Sequence, residues 1–152
     1  TIEPYASGVL NDVPGSHLLT DGVDMYGPSY TDCVLAVRTE LINEQPEALK
    51  ALIKGMMKAQ YMAENDPETV LDMVVGRYFK TSLENARIGM ANQPAVVDAR
   101  SQTDFILERV DSVMEMGYIT KRPGRSTIDW TLLEEVIAEN PELFASLQRT
   151  SA

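Results

Sequence analysis

The chain has 152 residues, 44% of them hydrophobic, and its 23 acidic and 13 basic side chains give a formal charge of −10. This length and composition are typical of one globular domain with a sizeable core and argue against a disordered chain. A surface this acidic repels phosphate backbones, so nucleic acid is not an expected partner, and no uncharged apolar run reaches the roughly 18 residues of a membrane helix.

The N-terminal segment predicts a short helix. Pro4 suits the first position of a helix, and Tyr5 and Val9 follow at helical spacing. Residues 17–19 then predict a short strand. Residues 1–4 are typical of the end of a strand that begins upstream, so we expect a further N-terminal portion of the protein.

The stretch 30–38 is the strongest strand signal. Its centre, residues 33–37, is apolar at successive positions, which is typical of a strand buried on both faces. A helix that begins with Pro46 follows closely. This order of a strand followed by a helix predicts an α/β fold. Two short strands cannot form a self-sufficient sheet, so we expect the chain to be the helix-rich end of a larger protein.

Helices dominate the rest of the chain. The first long helix is predicted from Pro46 to about Glu64, with one broad apolar stripe that we expect to pack against a neighbour. The stripe consists of Leu49, Leu52, Ile53, Met56, Met57, Gln60 and Tyr61. The other predicted helices cover 67–78, a stretch capped by Ser82, 97–116 with Gly117 as a left-handed C-terminal residue, a stretch capped by Asp129, and 141–147.

Two places suggest binding. Glu3 and Tyr5 flank a proline at a strand-to-helix switch, where ligands meet the carboxyl ends of strands in open α/β sheets. Tyr30, Thr31 and Asp32 gather an aromatic surface and hydrogen-bonding groups on a loop that enters the main strand, a mixture typical of a small-molecule cleft.

Each of these places also has a structural interpretation. Glu3 fits a helix N-terminal carboxylate that is stabilised by the helix dipole. Tyr30 fits half-buried packing at a strand edge, and the neighbouring Tyr26 fits a structural role better than a binding one. The residues alone leave these alternatives open.

The signals for catalysis are weak. Cys33 and His17 are the only cysteine and histidine, so the chain predicts no internal disulfide and no zinc cage. A lone cysteine in an apolar stretch is most often a small core residue, less often a ligand-lining thiol and least often a catalytic thiolate. With no Gly-rich phosphate loop and no nucleophile elbow, the sequence predicts no cofactor and no metal site.

Several segments, taken in order, resemble one known family. They are 1–8, 30–38, 43–54, 63–68 and 129–141. The chain resembles the C-terminal half of a periplasmic solute-binding protein of an ABC transporter, in the branch that binds nitrate, sulfonates such as taurine, and pyrimidine precursors of thiamine. The resemblance implies a type II periplasmic-binding-protein fold, in which two α/β lobes close on a solute.

The resemblance also implies a division of the chain and a location. Residues 1–29 would be a remnant of the second lobe at the cleft, 30–38 a strand that crosses the hinge, and 39–152 the helix-rich completion of the first lobe. The N-terminal half of the same protein would lie outside this chain. The protein would be periplasmic or lipid-anchored outside the cytoplasmic membrane, with a membrane permease as its partner.

The implied function is binding of a small polar or heteroaromatic solute for an importer, without covalent chemistry. The five candidates named above would lie near the solute, with Glu3 accepting hydrogen bonds and the tyrosines stacking on the solute. An enzyme on the same scaffold, similar to a pyrimidine synthase or a desulfinase, is an alternative that would use Cys33 as its nucleophile. A ligand-sensing domain fused to signalling machinery is another.

Overall fold

A computed structural model of the protein describes residues 2–27 and 29–150. Within these ranges no residue belongs to a β-strand, so the predicted α/β fold class, with its two-lobed type II binding-protein architecture, is wrong and the described chain is all-α. The helices are α1 (Tyr5–Asp12), α2 (Val23–Tyr26), α3 (Thr39–Glu44), α4 (Pro46–Asn65), α5 (Pro67–Val74), α6 (Leu83–Asn92), α7 (Thr103–Glu115), α8 (Thr131–Glu139) and α9 (Pro141–Ala145). Short 3-10 turns lie at Arg100–Gln102 and Arg125–Thr127.

Both predicted strands are irregular segments. Residues 17–19 lie in an exposed loop, and 30–38 is non-helical and has no strand beside it, which leaves Val34 64% and Leu35 49% exposed. A strand needs a neighbour to satisfy its backbone N–H and C=O groups, and the described residues offer this stretch none. The strand end predicted at residues 1–4 is also wrong for Ile2 to Pro4, which belong to no strand, and Thr1 lies outside the described residues. The division at 29 and 38 stays a prediction.

The core lies between α4 and the two C-terminal helices, α8 and α9. Met57 and Val136 are each only 1% exposed and meet at its centre. The side chains packed with them are Ile53, Val97, Ile137, Leu143, Phe144 and Leu147. None of the helices in the described ranges is long and apolar enough to cross a membrane.

The bounds of α4 confirm the predicted helix, but its buried stripe is narrower than expected. Leu49, Met57 and Gln60 are buried, whereas Leu52 is 47% and Tyr61 41% exposed. A broad apolar stripe needs partners along its whole width, but α8 and α9 pack around Met57 and leave Leu52 and Tyr61 exposed.

Local end signals place several helices as predicted. The Ser82 hydroxyl accepts a hydrogen bond from the Asn85 N–H at 3.1 Å and caps α6. Gly117 has a φ of 78°, and the N–H of Tyr118 donates to the Val113 carbonyl at 3.1 Å, which closes α7 as a left-handed C-terminal residue should. The predicted helices 67–78 and 97–116 are shorter, since α5 ends at Val74 and α7 begins at Thr103.

A buried polar network holds the C-terminal tail on α4. Gln60, 1% exposed, donates to the Glu64 carboxylate at 2.9 Å and to the Arg149 carbonyl at 2.8 Å, and accepts from the Val97 N–H at 2.8 Å. The Glu64 carboxylate also accepts from the backbone N–H groups of Gln148 at 2.8 Å and Arg149 at 3.2 Å. Burial raises the pKa of Glu64, but these hydrogen bonds and the Arg149 charge outweigh burial and leave the pKa below its ordinary value.

The lowered pKa predicts that Glu64 stabilises the fold above pH about 4.3, its unfolded value, and that this contribution disappears as the pH falls through the lower folded pKa. Glu64→Gln should therefore flatten the acid limb of a plot of stability against pH, because a glutamine side chain has no carboxylate to protonate. Urea unfolding between neutral and acid pH measures this. Glu115→Gln, at an exposed carboxylate, is the control. Parallel acid limbs for Glu64→Gln and the wild type would contradict the assignment.

Candidate functional site

Tyr30 lies in a cluster of three aromatic rings drawn from separate segments. Its ring centroid is 5.5 Å from that of Tyr26 in α2 and 6.2 Å from that of Phe105 in α7, and the rings of Tyr26 and Phe105 are 5.7 Å apart. These separations are those of interacting aromatic pairs. The Tyr30 hydroxyl donates to the Asp21 carbonyl at 3.0 Å, which fixes the ring against the loop before α2.

A glycine makes room for this arrangement. Gly22 has a φ of 90°, a region that strains other residues, and a Cβ added there would lie 2.5 Å from the Tyr30 hydroxyl oxygen. The sequence therefore positions Tyr30 through the turn at Gly22 as well as through its ring contacts.

Arg109 covers the cluster. The central carbon of its guanidinium lies 5.0 Å from the Tyr26 ring centroid and 4.9 Å from that of Phe105, within cation–π range. Its Nε is buried without a hydrogen-bond partner in the described structure, and its terminal nitrogen pairs with the Glu108 carboxylate at 3.7 Å, so the ring faces and Glu108 together compensate the guanidinium. Sequence reasoning missed this role, although Arg109 follows Phe105 by four residues and so shares its helix face.

The carboxylates of Glu3 and Asp32 bind two neighbouring residues at the end of α6, Asn92 and Gln93. Glu3 accepts from the Ser7 hydroxyl at 2.7 Å, the Ser7 N–H at 3.1 Å and the Asn92 side-chain amide at 2.8 Å. Asp32 accepts from the side-chain amide of Gln93. Burial raises the pKa of Glu3, but the hydrogen bonds from Asn92 and Ser7 together lower the pKa by more than burial raises it. The pKa of Glu3 therefore lies below its usual range, and the group is ionised.

These bonds give Glu3 a structural role as the carboxylate that begins α1 and ties it to α6. Its predicted role as a hydrogen-bond acceptor for a solute stays a prediction. Thr31, next to Tyr30, has a buried hydroxyl oxygen with no hydrogen-bond partner in the described part of the chain. A buried polar group of this kind is a position that a solute or a water can satisfy.

Tyr5 and Cys33 do not lie where the sequence predicted them. Tyr5 is 43% exposed and borders a separate cleft between α1 and the start of α6. Cys33 is exposed rather than a core residue, because the apolar stretch around it has no covering element. Within the described ranges no three His, Cys, Asp or Glu side chains are placed to hold a metal ion.

The arrangement around Tyr30 offers aromatic faces, a carboxylate at Asp32 and the unsatisfied Thr31 hydroxyl. Such a mixture of flat apolar surface with a few polar groups is what small-molecule sites use to hold and orient a ligand. Comparison with models of known protein families, with curated proteins and with solved structures finds no match for this chain.

Proposed function

We propose that this chain belongs to an extracytoplasmic solute-binding component of an ABC importer, and that it binds a small polar or heteroaromatic solute without covalent chemistry. The ordered resemblance of its segments to such proteins supports the proposal. The observation that carries it is the meeting of the Tyr26, Tyr30 and Phe105 rings, together with the buried, unsatisfied hydroxyl of Thr31, the residue that follows Tyr30 in the chain.

The groups around Tyr30 favour one chemical class of solute. Ring faces bind planar molecules by stacking, and the Asp32 carboxylate accepts hydrogen bonds from donors. The Arg109 guanidinium already lies over two rings, whereas the hydrogen bond from Gln93 uses only the Oδ2 atom of Asp32 and leaves Oδ1 to a donor on an incoming molecule. A heteroaromatic or amine-bearing solute suits these residues better than a small anion, since bringing a second negative charge close to Asp32 is costly.

The proposal includes a location and two partners. The protein would lie outside the cytoplasmic membrane, periplasmic or lipid-anchored, and a membrane permease would receive its solute. The other partner is the N-terminal half of the same protein. The exposed apolar side chains of Val34, Leu35 and Val37 support this, because contiguous apolar exposure is typical of a surface that another polypeptide covers.

A thermal-shift screen of the complete natural polypeptide tests the function. The solutes are nitrate, bicarbonate, taurine, alkanesulfonates, thiamine pyrimidines and riboflavin. We expect one class, heteroaromatic or amine-bearing, to raise the melting temperature by several degrees in a saturable manner, because a ligand that binds only the folded state stabilises it by mass action. No saturable rise for any class would contradict the proposal.

Substitutions at Tyr30 test the location of the solute. Tyr30→Ala should weaken binding about tenfold, because it removes a stacking face, whereas Tyr30→Phe keeps the face and should retain most of the affinity. Calorimetric titration with the solute from the screen measures both constants. Tyr118→Ala, at a tyrosine that is 77% exposed, is the control for a general loss of aromatic surface. Unchanged affinity in a folded Tyr30→Ala variant would place the solute elsewhere.

A further inference from the structure

A second cleft lies between α1 and the start of α6, and its volume is about 390 Å³. Sites for small molecules typically have roughly 300–1,000 Å³. One wall is a single stripe of α1, since its members are spaced three or four residues apart, and the other wall is the segment that leads into α6. The lining residues are Tyr5, Gly8, Val9, Asp12, Val13, Lys80, Thr81, Ser82 and Asn85.

The two walls carry opposite charges that do not neutralise each other. Asp12 lies on α1 and Lys80 on the facing segment, and within the described structure neither forms an ion pair within 4.0 Å. The hydrogen bond to Asp12 comes from the Asn85 side-chain amide at 3.4 Å, which is long. Two unpaired opposite charges across a gap are complementary to a molecule that carries both charges.

The position of Asp12 strengthens the attraction for a cation. It is the last residue of α1, where the helix dipole is negative, and the last turn of α1 has no basic residue. A carboxylate at a helix C-terminus is therefore unfavourable until a positive group approaches it. Lys80 supplies a positive group on the other wall, where it can receive a carboxylate.

Between the charges the cleft is apolar and kept open by a glycine. Tyr5, Val9 and Val13 are 43%, 46% and 51% exposed, so their surfaces are available to a ligand. A Cβ added at Gly8 would lie 3.4 Å from the Asn85 amide nitrogen, so any side chain longer than alanine there would extend into the space between the walls. Asn85 is 4% exposed and holds its wall by accepting from the Asn11 side-chain amide at 2.6 Å.

We propose that this cleft binds a small zwitterion with an apolar body, such as a free amino acid with an aromatic or aliphatic side chain. Its ammonium group lies at Asp12, its carboxylate lies at Lys80, and its side chain packs on Tyr5 and Val9. The cleft and the aromatic cluster around Tyr30 share no residue, so each can be altered by substitutions that leave the other's residues unchanged.

Calorimetric titration of the complete polypeptide with three matched probes tests the proposal. L-Phenylalanine carries both charges, 3-phenylpropionate lacks the ammonium group, and phenethylamine lacks the carboxylate. We expect phenylalanine to bind at least about tenfold more tightly than either analogue. Asp12→Asn should remove the preference over 3-phenylpropionate, and Lys80→Gln should remove the preference over phenethylamine.

Two further variants complete the test. Gly8→Leu should abolish phenylalanine binding by filling the cleft, while Lys121→Gln, at an exposed lysine far from the lining residues in sequence, should leave it unchanged. Circular dichroism melts establish that each variant is folded. Absence of phenylalanine binding, equal affinity for all three probes, or charge variants that behave like the wild type would overturn the proposal. The Tyr30→Ala variant separates this test from the one at the aromatic cluster, because it keeps every lining residue of the cleft and should leave phenylalanine binding unchanged.

Discussion

Met57→Ala should lower the free energy of unfolding by about 2–5 kcal/mol, whereas Leu52→Ala on the same helix should cost about 1 kcal/mol or less. Met57 is 1% exposed at the centre of the core beside Val136, so truncation leaves a cavity there. Leu52 is 47% exposed, so alanine at that position creates no closed cavity. The sequence pattern placed both residues in one buried stripe, and the pair therefore measures which face of α4 is covered.

Urea unfolding of the two variants and the wild type gives the comparison, with similar m-values as the sign that the same transition is observed. Similar losses at both positions would mean that α4 is buried on both faces and that its packing has been misassigned. A loss at Leu52 larger than that at Met57 would reverse the orientation of the helix.

Gly89→Ala and Gly55→Ala should change stability in opposite directions. A Cβ at Gly89 in α6 would lie 2.9 Å from the Pro4 Cα and 3.3 Å from the Glu3 Cβ, whereas a Cβ at Gly55 in α4 meets nothing within 4 Å. Because a backbone atom is in the way at Gly89, α1 must move, and we expect a net loss of about 1–2 kcal/mol. Gly55→Ala should gain about 0.5–1 kcal/mol from helix propensity alone.

The movement of α1 in Gly89→Ala should also break the hydrogen bond between Glu3 and Asn92, which joins the start of α1 to α6. Urea midpoints give the sign of each change, and Asn92→Ala gives the cost of losing the hydrogen bond without the steric clash. If Gly89→Ala raised stability as much as Gly55→Ala, the close crossing of α1 and α6 would be excluded.

Features encoded by neighbouring residues could be predicted from the sequence. The start of α4 at Pro46, the cap at Ser82 and the left-handed Gly117 each depend on a few adjacent residues, and all three are confirmed. The strand predicted at 30–38 failed for the opposite reason. An apolar run becomes a strand only if other strands bond to it, and that partnership is not encoded in the run itself.

Part of the candidate site could also be predicted from the sequence. Tyr30 and Asp32 were recognised because they share one loop, but their partners Phe105 and Gln93 are distant in sequence. No local pattern connects residues that far apart. The contact of Arg109 with Phe105 could have been predicted from the sequence, since their spacing of four places both on one face of a predicted helix.

Two-dimensional ¹H–¹⁵N NMR titration of the complete polypeptide, with each solute class of the screen, tests most directly whether a solute binds at the aromatic cluster. We expect saturable shifts centred on Tyr26, Tyr30 to Asp32, and Phe105 to Arg109, with smaller changes at Gln93. Saturable shifts confined to other residues, or no shift with any class, would contradict that expectation.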